Sequence, residues 1–290
     1  MSTDIGRHYQ VVGVDGSPGA KRALAWAIAR ADRLGPVEPV SAWHYPWWAF
    51  VPTATGTMLP LNEEEFADVT TRLVELSLEG MDRRNVLDAV VVHGSAGEAL
   101  LTVGGQASLI VVGTRGHGAL ASGLLGSVSA NCASNATVPV AIIPGETSIE
   151  DEHNTVVVGY DGSEFAEDAI EWAARYTPSE SVIKVVHAWS PTGTVTAQVS
   201  ALASEQLSTE SLTMVNEIID SFQSRPEFAK RKFEAVSESG DAREILRTMS
   251  AEADLLVVGA RGRGALAHLL LGSVSSSLSH HPLAATVIVR

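Results

Sequence analysis

The sequence predicts an α/β protein made of two tandem copies of one domain, each a five-stranded parallel sheet between layers of helix. Three observations predict it. The chain repeats itself at a constant offset. Within each copy, short Val/Ile-rich runs alternate with segments of helical spacing, which implies a parallel sheet with helices on both faces. The length of 290 residues also suits two domains at roughly 150 residues each.

The repeat is explicit. Residues 11–17 read VVGVDGS and 157–163 read VVGYDGS. Residues 109–118 read LIVVGTRGHG and 255–264 read LLVVGARGRG. Asp15 and Asp161, Gly113 and Gly259, and Gly126 and Gly272 all stand 146 residues apart. Trp26 and Trp172, and Trp43 and Trp189, keep the same offset. So long a period marks duplication of a domain, not a solenoid unit. The polar, acidic run 144–154 (PGETSIEDEHN) separates the copies. The expected domains are 1–146 and 155–290, with 147–154 as linker.

In the first copy, residues 10–15 form an apolar run of the kind buried on both faces of a sheet. Residues 18–34 follow as a helix, with Pro18 suited to its first turn and Gly35-Pro36 ending it. Residues 37–44 are the second strand, and 45–61 are irregular, rich in Pro and aromatic residues. A helix over 62–81 begins with acidic side chains, as its dipole favours. Residues 86–93 are the third strand. Ser95 and Glu98 have capping-box spacing ahead of a third helix, and Asp241 and Glu244 take those positions in the second copy. Residues 109–113 are the fourth strand, 127–136 a further helix, and 138–143 the fifth strand. Mid-helix Trp26 and Trp172 are expected in the core.

Composition narrows the function. There are 20 Lys+Arg against 34 Asp+Glu, a formal charge of −14. This argues against a general nucleic-acid binder and against adhesion to anionic lipid. The one cysteine, Cys132, excludes an intramolecular disulfide framework and fits a small buried residue. No secretory leader and no membrane span is expected, which suits the cytoplasm. His44, His93, His187, His280 and His281 show no metal-ligand spacing. The acidity is shared, −5 over the first 146 residues and −9 over the rest. Yet residues 99–145 and 255–290 contain no Asp or Glu, where about five and about four would be expected at the chain's overall frequency.

Those acid-free stretches hold a glycine loop after the fourth strand. It reads G-x2-G-x9-G-S, as Gly113, Gly116, Gly126 and Ser127, and again as Gly259, Gly262, Gly272 and Ser273. Glycines let backbone N–H groups approach a ligand closely. A strand feeding such a loop into a helix start makes an anion site, and Arg115 and Arg261 add positive charge. The loop lacks the Lys of a Walker motif. The first strand ends in Asp-Gly-Ser, not in a dinucleotide fingerprint. Ligands of such sheets bind at the carboxyl ends of strands, where the strand order switches.

The loop spacing, together with an Asp closing strand one, resembles the ATP-binding branch of the universal stress protein family. The likeness covers both copies and so suggests a tandem member. It implies a Rossmann-like sandwich of the adenine nucleotide alpha hydrolase kind. It also implies that loop glycines and serines hold phosphates and ribose, that Asp15 and Asp161 lie by the nucleoside, and that Ala42 and Ala188 lie near adenine. The candidate set in copy one is Gly13, Asp15, Ser17, Ala42, Gly113, Thr114, Arg115, Gly116, His117, Gly118, Gly126, Ser127, Val128 and Ser129. In copy two it is Gly159, Asp161, Ser163, Ala188, Gly259, Ala260, Arg261, Gly262, Arg263, Gly264, Gly272, Ser273, Val274 and Ser275.

The resemblance further implies a regulator that binds ATP in each domain, with Mg²⁺ carried by the nucleotide, in stress, hypoxia or growth arrest and dormancy. An unidentified protein partner and a homodimer are implied too. Fifth strands of the family pair across subunits, so 138–143 and 286–289 are expected either to unite the two domains or to make a dimer. The competing readings are an ATP-hydrolysing enzyme using the same loop, for which no nucleophile–base set appears, and a nucleotide-free scaffold. The aromatic cluster Tyr45, Trp47, Trp48 and Phe50 has no counterpart in copy two.

Overall fold

A computed structural model describes residues 8–44, 63–116, 125–149, 155–190, 197–263 and 271–290. Domain one comprises β1 (Gln10–Gly13), α1 (Pro18–Ala29), α2 (Ala31–Leu34), β2 (Val37–Trp43), α3 (Glu63–Ser77), β3 (Val90–His93), α4 (Ala96–Gly104), β4 (Leu109–Gly113), α5 (Ser127–Asn135) and β5 (Val140–Ile143). Domain two comprises β6 (Thr155–Gly159), α6 (Glu164–Tyr176), β7 (Val182–Trp189), α7 (Ala197–Gln223), β8 (Lys232–Ser239), α8 (Ala242–Ser250), β9 (Leu255–Gly259), α9 (Ser273–His280) and β10 (Ala285–Val289).

All the strands form one sheet in the order β3-β2-β1-β4-β5-β10-β9-β6-β7-β8. Neighbours are parallel within each domain. At the centre β5 and β10 run antiparallel, with Thr286 opposite Ile142, Val287 opposite Ala141 and Ile288 opposite Val140. Of the two roles expected for the fifth strands, the structure shows the joining of domains within one chain. Each face of the sheet carries an apolar layer drawn from both domains. Trp26, Trp172 and Phe222 pack on one face, and Leu100, Cys132, Leu246 and Leu278 on the other.

Several boundaries move for local reasons. The first helix breaks at Arg30, whose backbone (φ −109°) caps α1. Arg30 is buried, with its guanidinium 4.4 Å from the Trp26 ring centroid and donating to the Trp26 carbonyl. The third strand begins at Val90, not Val86; Val86 makes only an isolated bridge to Val37. The fifth strand begins after Pro139, whose nitrogen has no proton to give a ladder,. The capping box at Ser95 does not form: its side chain makes no cap hydrogen bond. Asp241 does cap α8, accepting from the Arg243 N–H at 2.8 Å.

Cys132 is fully buried, and burial pushes its thiol up to about 12. Because the thiolate is the nucleophile, native protein at pH 8 should react with Ellman's reagent at least 100-fold more slowly than protein in denaturant. Equal rates would mean that the α5 face opens readily.

Candidate functional site

The strand order switches between β1 and β4 in domain one and between β6 and β9 in domain two. A crevice at the carboxyl ends of these pairs is where such sheets bind ligands. The chain leaves β1 through Asp15-Gly16-Ser17. Gly16 has φ +80°, and its counterpart Gly162 has φ +74°, a region that other residues rarely adopt. The turn returns the Asp15 carboxylate onto its own backbone, where Oδ1 accepts from the Ser17 N–H at 3.0 Å. Ser17 is the N-cap of α1: its hydroxyl accepts from Ala20 N–H at 3.2 Å and donates to the Arg115 carbonyl at 3.4 Å. That hydrogen bond ties the helix entry to the glycine loop.

The loop is packed against the aspartates. A Cβ added at Gly116 would lie 2.2 Å from Asp15 Oδ2, and one at Gly262 would lie 2.2 Å from Asp161 Oδ2. Asp161 is anchored through both carboxylate oxygens. Its Oδ1 accepts from Ser163 N–H (3.1 Å) and the Ser163 hydroxyl (2.6 Å), and its Oδ2 from Arg263 N–H (2.9 Å). Gly113 and Gly259 face the backbone of Gly19 and Phe165, with room for no side chain: an added Cβ would sit 2.7 and 2.6 Å away.

Beyond the loop, α5 and α9 start with neither a side-chain cap nor an acidic residue in the first turn, whereas α4, also uncapped, has Glu98 there. Helices α1, α6 and α8 carry side-chain caps. The N-caps of α5 and α9 are Gly126 and Gly272, without a side-chain cap and without an acidic residue in the first turn. The first-turn N–H groups have no partner inside the helix, so the positive end of the dipole faces outward. Ser127 and Ser273 are exposed at these starts. Ser129 and Ser275 are buried, and their hydroxyls donate to the Gly113 carbonyl (2.5 Å) and the Ala260 carbonyl (2.8 Å). They stitch the helix to the strand end and so fix where its amides point.

In domain two these parts surround a cavity of about 430 Å³. Gly159, Asp161, Ala188, Gly259, Arg261, Gly262, Gly272, Ser273, Val274 and Ser275, all expected from the sequence, line it together. Ala260 lies buried beneath the loop, while Ser163 and Arg263 hold Asp161. In domain one Ala42 packs half-buried on the sheet face. His117, Gly118, Gly264 and the Tyr45–Phe50 cluster lie outside the described residues.

Sequence reasoning missed the apolar wall of the cavity: Tyr160, Val186, Ala242 and Leu246. Tyr160 was visible as the one change between VVGVDGS and VVGYDGS. It is buried, and burial, then the Glu167 carboxylate, raises its phenol. His187, behind the cavity on β7, is held down chiefly by burial, with Asp161 opposing, and its Nδ1 lies 2.7 Å from the Ser211 hydroxyl. Among the described residues no helix is long and apolar enough to cross a membrane.

Comparison with known proteins agrees with this construction. The family model described as "Universal stress protein family" matches residues 10–144 and 152–290. The universal stress protein Rv2005c of Mycobacterium tuberculosis is 32% identical, across 100% of this chain and 99% of its own length. Universal stress protein Rv1996 of the same organism is 29% identical over 97% of this chain and 94% of its own. A universal stress protein crystal structure from Archaeoglobus fulgidus superposes with a TM-score of 0.62 at 18% identity, covering 97% of this chain and 96% of that one. With its family model matched in both halves and a relative aligned end to end, this chain belongs to the universal stress protein family, as a tandem of two such domains.

Proposed function

We propose that each domain binds ATP at its glycine loop, and that the chain acts as a regulator whose nucleotide state changes its contacts with a partner protein. The observation that carries this is the pair of uncapped helix starts, each placed by a glycine loop at the strand switch and free of acidic residues in its first turn. In an acidic protein, that is where an anion is favoured.

The cavity in domain two fits a nucleotide in chemistry as well as in charge. Its apolar wall of Val186, Ala188 and Leu246 suits a base, and Gly262, Gly272 and Ser273 at the other side suit phosphates. Asp161 lines the same cavity, where its carboxylate can accept from ribose hydroxyls. Domain one repeats the loop, the aspartate and the helix start, so two sites per chain are expected. Mg²⁺ would accompany the triphosphate. A cytoplasmic place, a role in hypoxia or dormancy, and homodimerisation belong to the same reading. A homodimer would use surfaces other than the β5 and β10 edges, which are already paired to each other.

Purified protein, denatured and analysed by mass spectrometry, is expected to release ATP at up to two equivalents per chain. Released material without adenine nucleotide would favour a scaffold. Steady ATP turnover above roughly 1 s⁻¹, a usual enzymatic rate, would instead make the protein an enzyme. Neither Ser127 nor Ser273 has a hydrogen-bonded base among the described residues, so slow turnover is expected.

A further inference from the structure

We propose that the cleft between the two domains on the Arg115 side is a third ligand site, which takes a small phosphate monoester. The antiparallel seam sets the two domains about a pseudo-twofold axis. Around it, the loop after the fourth strand of one domain faces the final helix–strand turn of the other. The two clefts so formed are not alike. Positions 146 apart hold Gly19 and Phe165, and Pro144 and Arg290.

On the domain-two side the larger residues occupy the space. The Arg261 guanidinium stacks 4.5 Å from the Phe165 ring centroid, and Arg290 reaches across to donate to the Ala133 carbonyl of the other domain. On the domain-one side Gly19 and Pro144 leave a cavity of about 610 Å³, bordered by the His280–Leu283 turn of domain two. Small-molecule sites commonly span roughly 300–1,000 Å³.

The lining specifies the ligand. Arg115, which the sequence assigned to the first glycine loop, lines this cleft; it is exposed, and no acceptor or ring among the described residues engages its guanidinium. Its counterpart Arg261 is spent on Phe165. His280 and His281 add imidazole N–H donors from the opposite wall, and among the described residues Glu146 is the one carboxylate on the lining. A guanidinium fork matches a phosphate's oxygens. Pro144 and Leu283 offer apolar surface to an organic body. Glu146 disfavours a polyphosphate, whose extra charge it would repel. A ligand seated here touches Thr114 to Gly116 of domain one and the last turn of domain two, so it would bear on the first loop from behind. His280, His281 and Leu283 lie outside both glycine loops, so this wall of the cleft stays whatever those loops bind.

Calorimetric titration of the full chain with phenyl phosphate, with and without saturating ATP, tests this. With saturating ATP filling both loops, one equivalent per chain is expected, at least tenfold tighter than inorganic phosphate, and the same equivalent should persist without ATP. The double variant His280→Asp/His281→Asp should weaken it at least tenfold, while Gly262→Ala leaves it unchanged. Should the double variant melt early, Leu283→Glu, at a half-exposed position, reads the same cleft and should weaken binding likewise. Lack of saturable binding would overturn the proposal. So would an affinity that these cleft variants leave unchanged, or binding abolished by ATP, which would put the ligand in a loop.

Discussion

Gly116→Ala is expected to weaken ATP binding at the first site by at least tenfold and to leave the second site intact. The added methyl would stand 2.2 Å from Asp15 Oδ2, too close for either group to stay. The carboxylate cannot simply swing away, because its other oxygen holds the Ser17 N–H at the entry to α1. Either the loop lifts, and the amides aimed by Gly126 lose their registration, or the turn after β1 gives up its hydrogen bond. A broken bond of that kind costs about 1–3 kcal/mol, and about 1.4 kcal/mol is a factor of ten in affinity. Gly262→Ala should do the same to the second site, where the added methyl would stand 2.2 Å from Asp161 Oδ2. Asp15→Ala should weaken the first site by removing the acceptor itself. Equilibrium dialysis counts the sites: each glycine variant should bind one tight equivalent where the parent binds two. Two equivalents of undiminished affinity in Gly116→Ala would remove the loop from the nucleotide site.

Val287→Asp is expected to produce the largest loss of stability. Val287 is 0% exposed and lies in β10, paired to β5 on one side and to β9 on the other. A carboxylate there must be desolvated or protonated, and an unpartnered buried charge costs about 3–5 kcal/mol or more. The damage falls on both domains, because the same strand serves both apolar layers. Urea unfolding should show the midpoint falling for the whole chain. Val69→Asp, at a position 67% exposed on α3, should shift stability by no more than about 0.5 kcal/mol. Equal effects of the two substitutions would mean that the seam contributes nothing to stability.

Whatever repeats or alternates was legible in the sequence. The offset of 146 carried the duplication, the succession of strands and helices and the spacing of the loop glycines, because glycine spacing and apolar runs are local patterns. Helix and strand ends were less legible. The break at Arg30 depends on a buried guanidinium stacked over Trp26, a tertiary contact with no local signature. The late start of β3 depends on which residues of β2 remain to be paired. Ser95 and Asp241 occupy equivalent positions with similar spacing, yet only Asp241 caps its helix. The aromatic wall of the second site was present as Tyr160 but unremarkable without its neighbours. The unequal clefts could not be seen at all, since Gly19 and Phe165 acquire meaning only when Arg115, Arg261 and the turn of the opposite domain are placed beside them.

The strand pairing at the centre also frees the protein from a constraint. In a dimer of identical subunits, any residue change appears twice, and both faces of the twofold axis must accept it. Here the twofold is written once into a single chain, so each half mutates alone. Gly19 can be small where its counterpart Phe165 is large, and Pro144 can stand where its counterpart is Arg290. Covalent fusion thus turns a symmetric assembly into one that can assign different tasks to its two ends.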